Sequence, residues 1–199
     1  MSTAYCFDLD GTVTTMEILP CIASELDIAE EIATLTRVTM EGLITFEESL
    51  RLRSAILGQV PVARVHAIIG DIPLDQTIVE FIGAHRDNSF IVTGNLDIWT
   101  EQIVKKLGCP GFFSKASLDQ GRVRLDCVLN KGDAVEAVRG LGFRRVVAVG
   151  DGSNDIPMLQ KADVAVAYGG VHSPTSAAIA ASDYVIHDGV VLCNLLNTL

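Results

Sequence analysis

The sequence predicts an α/β protein in which a doubly wound parallel sheet carries a small helical cap inserted after the first strand. Three observations lead to this prediction. Apolar runs bounded by Gly, Asp or Asn alternate with helix-length segments, the order expected for parallel strands connected by helices. One of these runs, "VVAVG", is continuously apolar, as is typical of a strand covered on both faces. Residues 15–73, directly behind the first strand, have helical periodicity and no convincing strand.

The elements of the core follow this alternation. Each predicted strand is a short apolar run that ends near a glycine or a polar residue, and the helices lie between such runs. The predicted strands are Ala4–Asp8, Ser89–Thr93, Arg145–Gly150, Asp163–Ala167 and Tyr184–His187. The predicted helices are Asp97–Leu107, Asp133–Leu141 and Pro174–Ala181. A β-hairpin is predicted at "KASLDQGRVRLDCVL", where two alternating runs flank Gln120 and Gly121.

The helical segment divides the chain into two expected domains. Residues 1–14 and 74–199 are expected to form a Rossmann-like α/β core, and residues 15–73 are expected to form the cap. The clearest helix of the cap begins at "TFEE", because Thr45 and Glu48 have the spacing of a capping box.

Arg53 lies on the apolar face of that helix. Phe46, Leu50, Arg53 and Leu57 follow one another at intervals of four, three and four, so they share one face, whereas Arg51 points away. Arg53 is therefore predicted to face buried surroundings. Two interpretations remain open, a structural pairing with a carboxylate of the protein and the binding of an anionic ligand.

Composition excludes several classes of partner. With 199 residues, 49% of them hydrophobic, the chain is long enough to bury a full core. A formal net charge of −10 argues against binding to nucleic acid or to an anionic membrane surface. The N-terminus lacks a signal peptide pattern, and glycines and a proline interrupt the uncharged stretch 164–182, which predicts a cytoplasmic protein without a membrane span. Five dispersed cysteines form no metal-binding or disulfide pattern.

Polar residues follow three of the predicted strands, at the edge where parallel sheets collect functional groups. These residues are Asp8 and Asp10, then Thr93 and Gly94, then Asp151, Asn154 and Asp155. Four carboxylates brought to one crevice repel one another and require a cation. Because no His or Cys accompanies them, the oxygen-only set favours Mg²⁺, and an acid-only magnesium site indicates phosphoryl chemistry.

Lys131 supports an anion at the same edge. Asn130 has the residue type of a helix N-cap, which places the Lys131 charge in the first turn, against the helix dipole. An anion in front of Lys131 would remove this conflict, and a solvated lysine is the alternative. The tripeptide Thr93-Gly94-Asn95 before the next helix also suits the binding of an oxyanion.

Four ordered motifs resemble those of the haloacid dehalogenase-like hydrolase superfamily. They are "DLDGTVT", "IVTGN", "NKGDAV" with Lys131, and "VGDGSNDIPML", and together they cover nearly the whole chain. Within the cap, "EGLITFEESLRLRSAIL", together with Glu17, is similar to phosphoserine phosphatases. The second motif departs from the Ser-Gly-Gly that is usual in those enzymes. Asn95 stands where glycine leaves space, and it is expected either to cap the following helix or to reshape the substrate pocket.

The resemblance implies a role for each matching residue. Asp8 would be the nucleophile that forms an aspartyl-phosphate, and Asp10 the general acid and base. Mg²⁺ would be held by Asp8, the backbone carbonyl of Asp10 and Asp151, with Asp155 in support. Phosphate would be bound by Thr93, Gly94 and Lys131, with Asn154 ordering the site. Glu17 would bind the ammonium group of phosphoserine and Arg53 its carboxylate.

The predicted function is Mg²⁺-dependent hydrolysis of L-phosphoserine. The alternative is a phosphatase or phosphotransferase acting on another small phosphorylated metabolite. A signalling receiver domain also groups acids, a threonine and a lysine, but such domains are shorter and lack both the helical insertion and a loop like "GDGSND". The sequence does not determine the oligomeric state.

Overall fold

A seven-stranded sheet forms the centre of the computed structural model, which describes residues 3–199. In chain order the strands are β1 (Thr3–Phe7), β2 (Ser89–Leu96), β3 (Gly111–Asp119), β4 (Arg122–Cys127), β5 (Arg145–Gly150), β6 (Val164–Tyr168) and β7 (Tyr184–Ile186). Their order across the sheet is β4-β3-β2-β1-β5-β6-β7, and all neighbouring pairs are parallel except β3 and β4. The predicted fold class is confirmed.

The ten α-helices of the described chain lie between and after these strands. They are α1 (Ile18–Ala23), α2 (Ala29–Met40), α3 (Phe46–Leu57), α4 (Val62–Gly70), α5 (Gln76–Ala84), α6 (Asp97–Leu107), α7 (Lys131–Gly140), α8 (Ile156–Lys161), α9 (Ser176–Ala180) and α10 (Gly189–Leu196). Two differ from the predicted bounds. Helix α7 starts two residues early because Asn130 caps it by accepting a hydrogen bond from the Gly132 N–H at 3.0 Å. Helix α9 starts late because Thr175 is its N-cap. No helix among residues 3–199 has the length and apolar composition required to cross a bilayer.

The sheet is buried on both faces, as its apolar strands require. Along β1, Tyr5 and Phe7 pack into one hydrophobic cluster, and Ala4 and Cys6 into the other on the opposite face. Strand β2 is buried along its whole length. Side chains that follow β1 and β2 are therefore held by rigid backbone.

The predicted hairpin is present and extends further than its alternating pattern indicated. Strand β3 already begins at Gly111, where it pairs in parallel with β2, and only its second half pairs with β4. The turn contains Gln120 and Gly121, both with positive φ, at 50° and 79°. The hairpin reaches the helical segment, because the Val123 N–H of β4 donates a hydrogen bond of 2.8 Å to the Gly58 carbonyl.

Helices α1 to α4 lie within residues 18–70, between β1 and β2. The chain enters and leaves this helical segment through two adjacent connections, because Thr14 forms an isolated antiparallel bridge with Leu74. Helix α3 begins as predicted, with Thr45 Oγ1 accepting from the Glu48 N–H and Glu48 Oε2 accepting from the Thr45 N–H. The division into a core and a cap at residues 14 and 73 stays a prediction.

Candidate active site

A cavity of about 70 Å³ opens at the carboxyl ends of β1, β2 and β5, beneath helices α2 and α3. Asp8 and Asp10 follow β1 and line this cavity, whereas Leu9 between them is fully buried in the core. The alternation of an extended chain sends the two carboxyl groups to the same side. Gly11, with φ of 78°, then turns the chain toward α1.

Asp8 and Lys131 form a buried ion pair. Lys131 Nζ donates hydrogen bonds of 2.5 Å to Asp8 Oδ1 and to Asp155 Oδ1. The Lys131 side chain is 1% exposed, so the alternative of a solvated lysine is wrong. Burial raises the pKa of Asp8, and the Lys131 charge opposes this effect. For Lys131 burial acts in the opposite direction, but the charges of Asp155 and Asp8 outweigh it, so its pKa is raised.

Asp10 is held at both carboxylate oxygens. Oδ1 accepts a hydrogen bond of 2.8 Å from the Ile18 N–H at the start of α1, and Oδ2 accepts one of 3.3 Å from Asn95 Nδ2. Burial, followed by the charge of Glu17, raises the pKa of Asp10 well above its ordinary value. The group is thus fixed in position beside Asp8.

The loop after β5 carries the two remaining acids, Asp151 and Asp155. Asp155 Oδ2 accepts hydrogen bonds from the N–H groups of Asp151 and Gly152, at 3.0 and 2.9 Å. A side chain at Gly150 would collide with Asp155. Because both oxygens of Asp155 already accept hydrogen bonds, this residue fixes the loop, while Asp151 and Asn154 line the cavity.

The ionisable side chains in and next to the cavity form a cluster with more negative than positive charge. Its carboxyl groups belong to Asp8, Asp10, Glu17, Asp151 and Asp155, and its cationic groups to Lys131 and Arg53. Asp8, Asp151 and Asp155 offer oxygen atoms within 4.8 Å of one another. Burial, together with the neighbouring carboxylates, also raises the pKa of Asp151 well above its ordinary value. A buried excess of hard oxygen donors fits a divalent cation such as Mg²⁺.

The tripeptide from Thr93 to Asn95 lies at the end of β2, on the cavity wall. Thr93 Oγ1 accepts a hydrogen bond of 3.1 Å from the Asn95 N–H. Gly94 has no room for a side chain, because the Phe46 ring from α3 packs directly against it. Asn95 does not cap α6, whose N-cap is Leu96 without a side-chain hydrogen bond. Its Nδ2 donates a hydrogen bond to Asp10 Oδ2, and its Oδ1 accepts one from the Leu96 N–H. The reshaping of the substrate pocket by Asn95 stays a prediction.

Arg53 extends from α3 into the cavity and is 5% exposed. Nη1 donates a hydrogen bond of 3.0 Å to Thr36 Oγ1, and Nε donates one of 3.3 Å to the Ser49 carbonyl. Within the described residues no carboxylate forms an ion pair with it. Burial lowers the pKa of the Arg53 guanidinium, an effect that the charges of Asp10 and Glu17 oppose. Structural pairing with a carboxylate is thus not found in the described part of the chain.

Glu17 precedes α1 and lines the same cavity. Burial and the charge of Asp8 raise its pKa, and Arg53 opposes them. His172 Nε2 lies 3.3 Å from Glu17 Oε1. Sequence reasoning did not find His172, because it belongs to no motif and lies 155 positions from Glu17. It also missed Ser153, whose hydroxyl donates a hydrogen bond of 2.9 Å to the Met40 carbonyl of α2.

Residues 6–160 match the family described as haloacid dehalogenase-like hydrolase. The phosphoserine phosphatase of Methanocaldococcus jannaschii is 33% identical over 175 residues, which cover 81% of this chain and 83% of that protein. The phosphoserine phosphatase of Lactococcus lactis is 27% identical, with 81% of each chain covered.

Solved structures of similar proteins have the same fold. A phospho-aspartyl intermediate analogue of phosphoserine phosphatase superposes with a TM-score of 0.83 at 27% identity, covering 100% of this chain and 98% of that one. A substrate-bound phosphoserine phosphatase complex superposes with a TM-score of 0.86, again at 27% identity and with the same coverage.

Proposed function

The chain belongs to the haloacid dehalogenase-like hydrolase family and is a phosphoric monoester hydrolase, and from this premise we propose that it hydrolyses L-phosphoserine to L-serine and phosphate. The observation that carries the choice of substrate is Arg53. A buried guanidinium without a carboxylate partner in residues 3–199 lines the cavity that contains Asp8. A carboxylate-bearing phosphate would supply the missing partner.

Asp8 would act as the nucleophile. One of its carboxylate oxygens attacks phosphorus, the bond from phosphorus to the serine oxygen breaks, and that oxygen takes a proton from Asp10. Lys131 holds Oδ1 of Asp8 and thereby fixes the orientation of the attacking group. The relatives described as phosphoserine phosphatases support this step, as does the solved phospho-aspartyl intermediate analogue of a phosphoserine phosphatase.

Asp10 would then serve as the base for the second half of the reaction. Now ionised, it removes a proton from a water molecule whose oxygen attacks the phosphorus of the aspartyl-phosphate. The bond between phosphorus and the Asp8 oxygen breaks, which releases phosphate and regenerates the carboxylate. The hydrogen bonds from Ile18 and Asn95 would keep Asp10 within reach of both oxygens.

Phosphoryl oxygens would be bound by groups from three elements. Thr93 offers its hydroxyl and Gly94 its backbone N–H at the end of β2, Lys131 adds a charge at the start of α7, and Asn154 lines the cavity from the loop after β5. Preorganised donors of this kind stabilise the charge that develops on a transferring phosphoryl group.

The acidic cluster would hold Mg²⁺ through Asp8, the backbone carbonyl of Asp10 and Asp151, with Asp155 supporting the loop. The buried excess of carboxylates supports this assignment. When bound, Mg²⁺ neutralises the carboxylates and the phosphate and so permits an anionic nucleophile to approach an anionic substrate. Residues 15–73 would form the cap that excludes bulk water from the cavity.

The amino-acid part of the substrate would be recognised from the cap side. Arg53 would bind the carboxylate by paired hydrogen bonds, and Glu17 the ammonium group. A second candidate, another small phosphomonoester or a phosphotransfer reaction, is favoured by Asn95, whose side chain occupies part of the cavity wall.

A panel of phosphomonoesters tests the proposal. The purified protein is incubated with Mg²⁺ and with L-phosphoserine, phosphothreonine or small sugar phosphates, and phosphate and dephosphorylated product are measured together. We expect the highest kcat/KM for L-phosphoserine, with equal amounts of serine and phosphate. Rapid turnover of another ester without turnover of phosphoserine would overturn the substrate. Less phosphate than serine would indicate transfer instead of hydrolysis.

A further inference from the structure

A second cavity lies beside the candidate active site, between α2 and the loop 169–175 that follows β6. Its volume is about 680 Å³, and it is therefore much larger than the inner cavity. Glu17, Thr36, Met40 and Ser153 border both cavities, so they form the partition between them. Glu17 is the proposed partner of the substrate ammonium group. Side chains in the outer cavity that contact Glu17 therefore influence the orientation of its carboxylate.

His172 contacts Glu17 from the outer cavity. The distance between His172 Nε2 and Glu17 Oε1 is 3.3 Å, and within the described residues His172 is the only basic side chain at ion-pair distance from Glu17. An ionised Glu17 can only accept at this contact, and an imidazole N–H is the complementary donor. The His172 side chain is 47% exposed and that of Glu17 20% exposed, so the pair extends from solvent toward the inner cavity.

The loop that carries His172 is anchored at both ends. The Gly169 N–H donates a hydrogen bond of 2.8 Å to the Ile186 carbonyl of β7, and the Thr175 N–H donates one of 3.0 Å to the Asp151 carbonyl. A side chain at Gly169 would collide with the His187 ring, and one at Gly170 would lie 2.6 Å from the Tyr168 ring. The loop thus follows a path that two glycines permit, and that path brings the imidazole to Glu17.

The surroundings of Glu17 require such an anchor. Burial and the Asp8 charge raise the pKa of Glu17 and so disfavour its ionised form, whereas the Arg53 charge and the Asp10 side chain favour that form. At Gly11 a side chain would come within 3.3 Å of Glu17 Oε1, so the oxygen nearest His172 lies closely against the turn after β1. The imidazole of His172, 3.3 Å from Oε1, restricts the rotation of the carboxylate in this buried environment.

We infer that His172 is a positioning residue that orients Glu17 for the ammonium group of the substrate, and that it thereby determines specificity for amino-bearing phosphates. This inference rests on the proposed function. His172 does not touch the reacting atoms, and its effect is confined to substrates that carry an ammonium group. If the contact of His172 only kept the cap closed, its loss would affect every substrate equally.

The experiment compares two substrates that differ only in the ammonium group, L-phosphoserine and 3-(phosphonooxy)propionate. For His172→Ala we expect the KM for phosphoserine to rise about two- to fivefold, the range of a partly exposed ion pair, with kcat unchanged. Kinetic constants for 3-(phosphonooxy)propionate should not change. His172→Gln retains a donor on a side chain of similar reach, so it should restore most of the loss.

Ser173→Ala is the matched control, because Ser173 lies next to His172 on the same loop and borders the same outer cavity. It should leave both substrates unaffected. Equal losses of His172→Ala on both substrates, or no loss on either, would overturn the inference and leave phosphoserine hydrolysis standing. A wild-type protein with no preference for phosphoserine over 3-(phosphonooxy)propionate would overturn the proposed substrate and the inference together.

Discussion

Asn95 Nδ2 donates a hydrogen bond of 3.3 Å to Asp10 Oδ2. The residue that departs from the usual second motif therefore contacts the proposed general acid and base. Since the Ile18 N–H holds the other oxygen at 2.8 Å, the Asp10 carboxyl group is oriented from two sides. Asn95 thus has a defined place in the proposed chemistry, because it orients the group that transfers the proton.

Asn95→Ala should lower kcat for phosphoserine about three- to tenfold, because one hydrogen bond that orients Asp10 is lost. The KM should change less than kcat, since Asn95 is not among the groups proposed to bind the amino acid. Steady-state kinetics with Mg²⁺ measure both constants. An unchanged kcat would show that the Ile18 N–H alone is sufficient to hold Asp10.

Arg53→Ala should reduce kcat/KM for phosphoserine about a hundredfold, because paired hydrogen bonds to a carboxylate are lost. Turnover of p-nitrophenyl phosphate, which lacks a carboxylate, should fall far less. Arg51→Ala is the control on the same helix. Its side chain is 57% exposed and, among residues 3–199, forms an ion pair with Glu47 alone, so neither substrate should be affected. Equal losses of Arg53→Ala on both substrates would assign Arg53 to the structure of the cap.

Lys131→Met should lower the free energy of unfolding by about 3–5 kcal/mol at neutral pH without metal, because it leaves the Asp8 and Asp155 charges without their buried partner. Urea denaturation followed by circular dichroism measures this change. Lys115→Met removes an exposed ion pair with Asp97 and should cost less than about 1 kcal/mol. Similar small losses in both variants would mean that Lys131 does not balance the buried acids.

Mg²⁺ should stabilise the folded protein as well as support turnover. At a concentration a hundredfold above its dissociation constant, the expected gain is about 2.7 kcal/mol, seen as a rise in Tm. Asp151→Asn should be stabilised relative to wild type without metal, because one repelling charge is removed, and its Tm should respond little to Mg²⁺. An equal response in wild type and Asp151→Asn would place the ion elsewhere, and an equal rise with matched NaCl would indicate ionic strength alone.

The sequence predicted the sheet and the acids of the site because both follow from short-range regularities. The alternation along β1 was sufficient to send Asp8 and Asp10 to one side, and the spacing of Phe46, Leu50 and Leu57 was sufficient to turn Arg53 inward. Parallel strand order then brought the ends of β1, β2 and β5 together.

The contacts that the sequence did not predict are tertiary and depend on single side chains. The pairing of Glu17 with His172 requires the path of loop 169–175, which tight packing at Gly169 and Gly170 sets. The first half of β3 was missed because it pairs in parallel with β2 and so lacks the alternation that marks a hairpin. The direction of the Asn95 amide depends on Asp10, 85 positions away.

The most direct test of the account is the covalent state of Asp8 during turnover. Wild-type protein mixed with phosphoserine and Mg²⁺ is quenched in acid within milliseconds and analysed by intact-protein and peptide mass spectrometry. We expect a fraction of the protein to carry one phosphoryl group on Asp8, and Asp8→Asn to carry none and to release no phosphate. Sustained phosphate release by Asp8→Asn, or a phosphoryl group on another residue, would contradict the account.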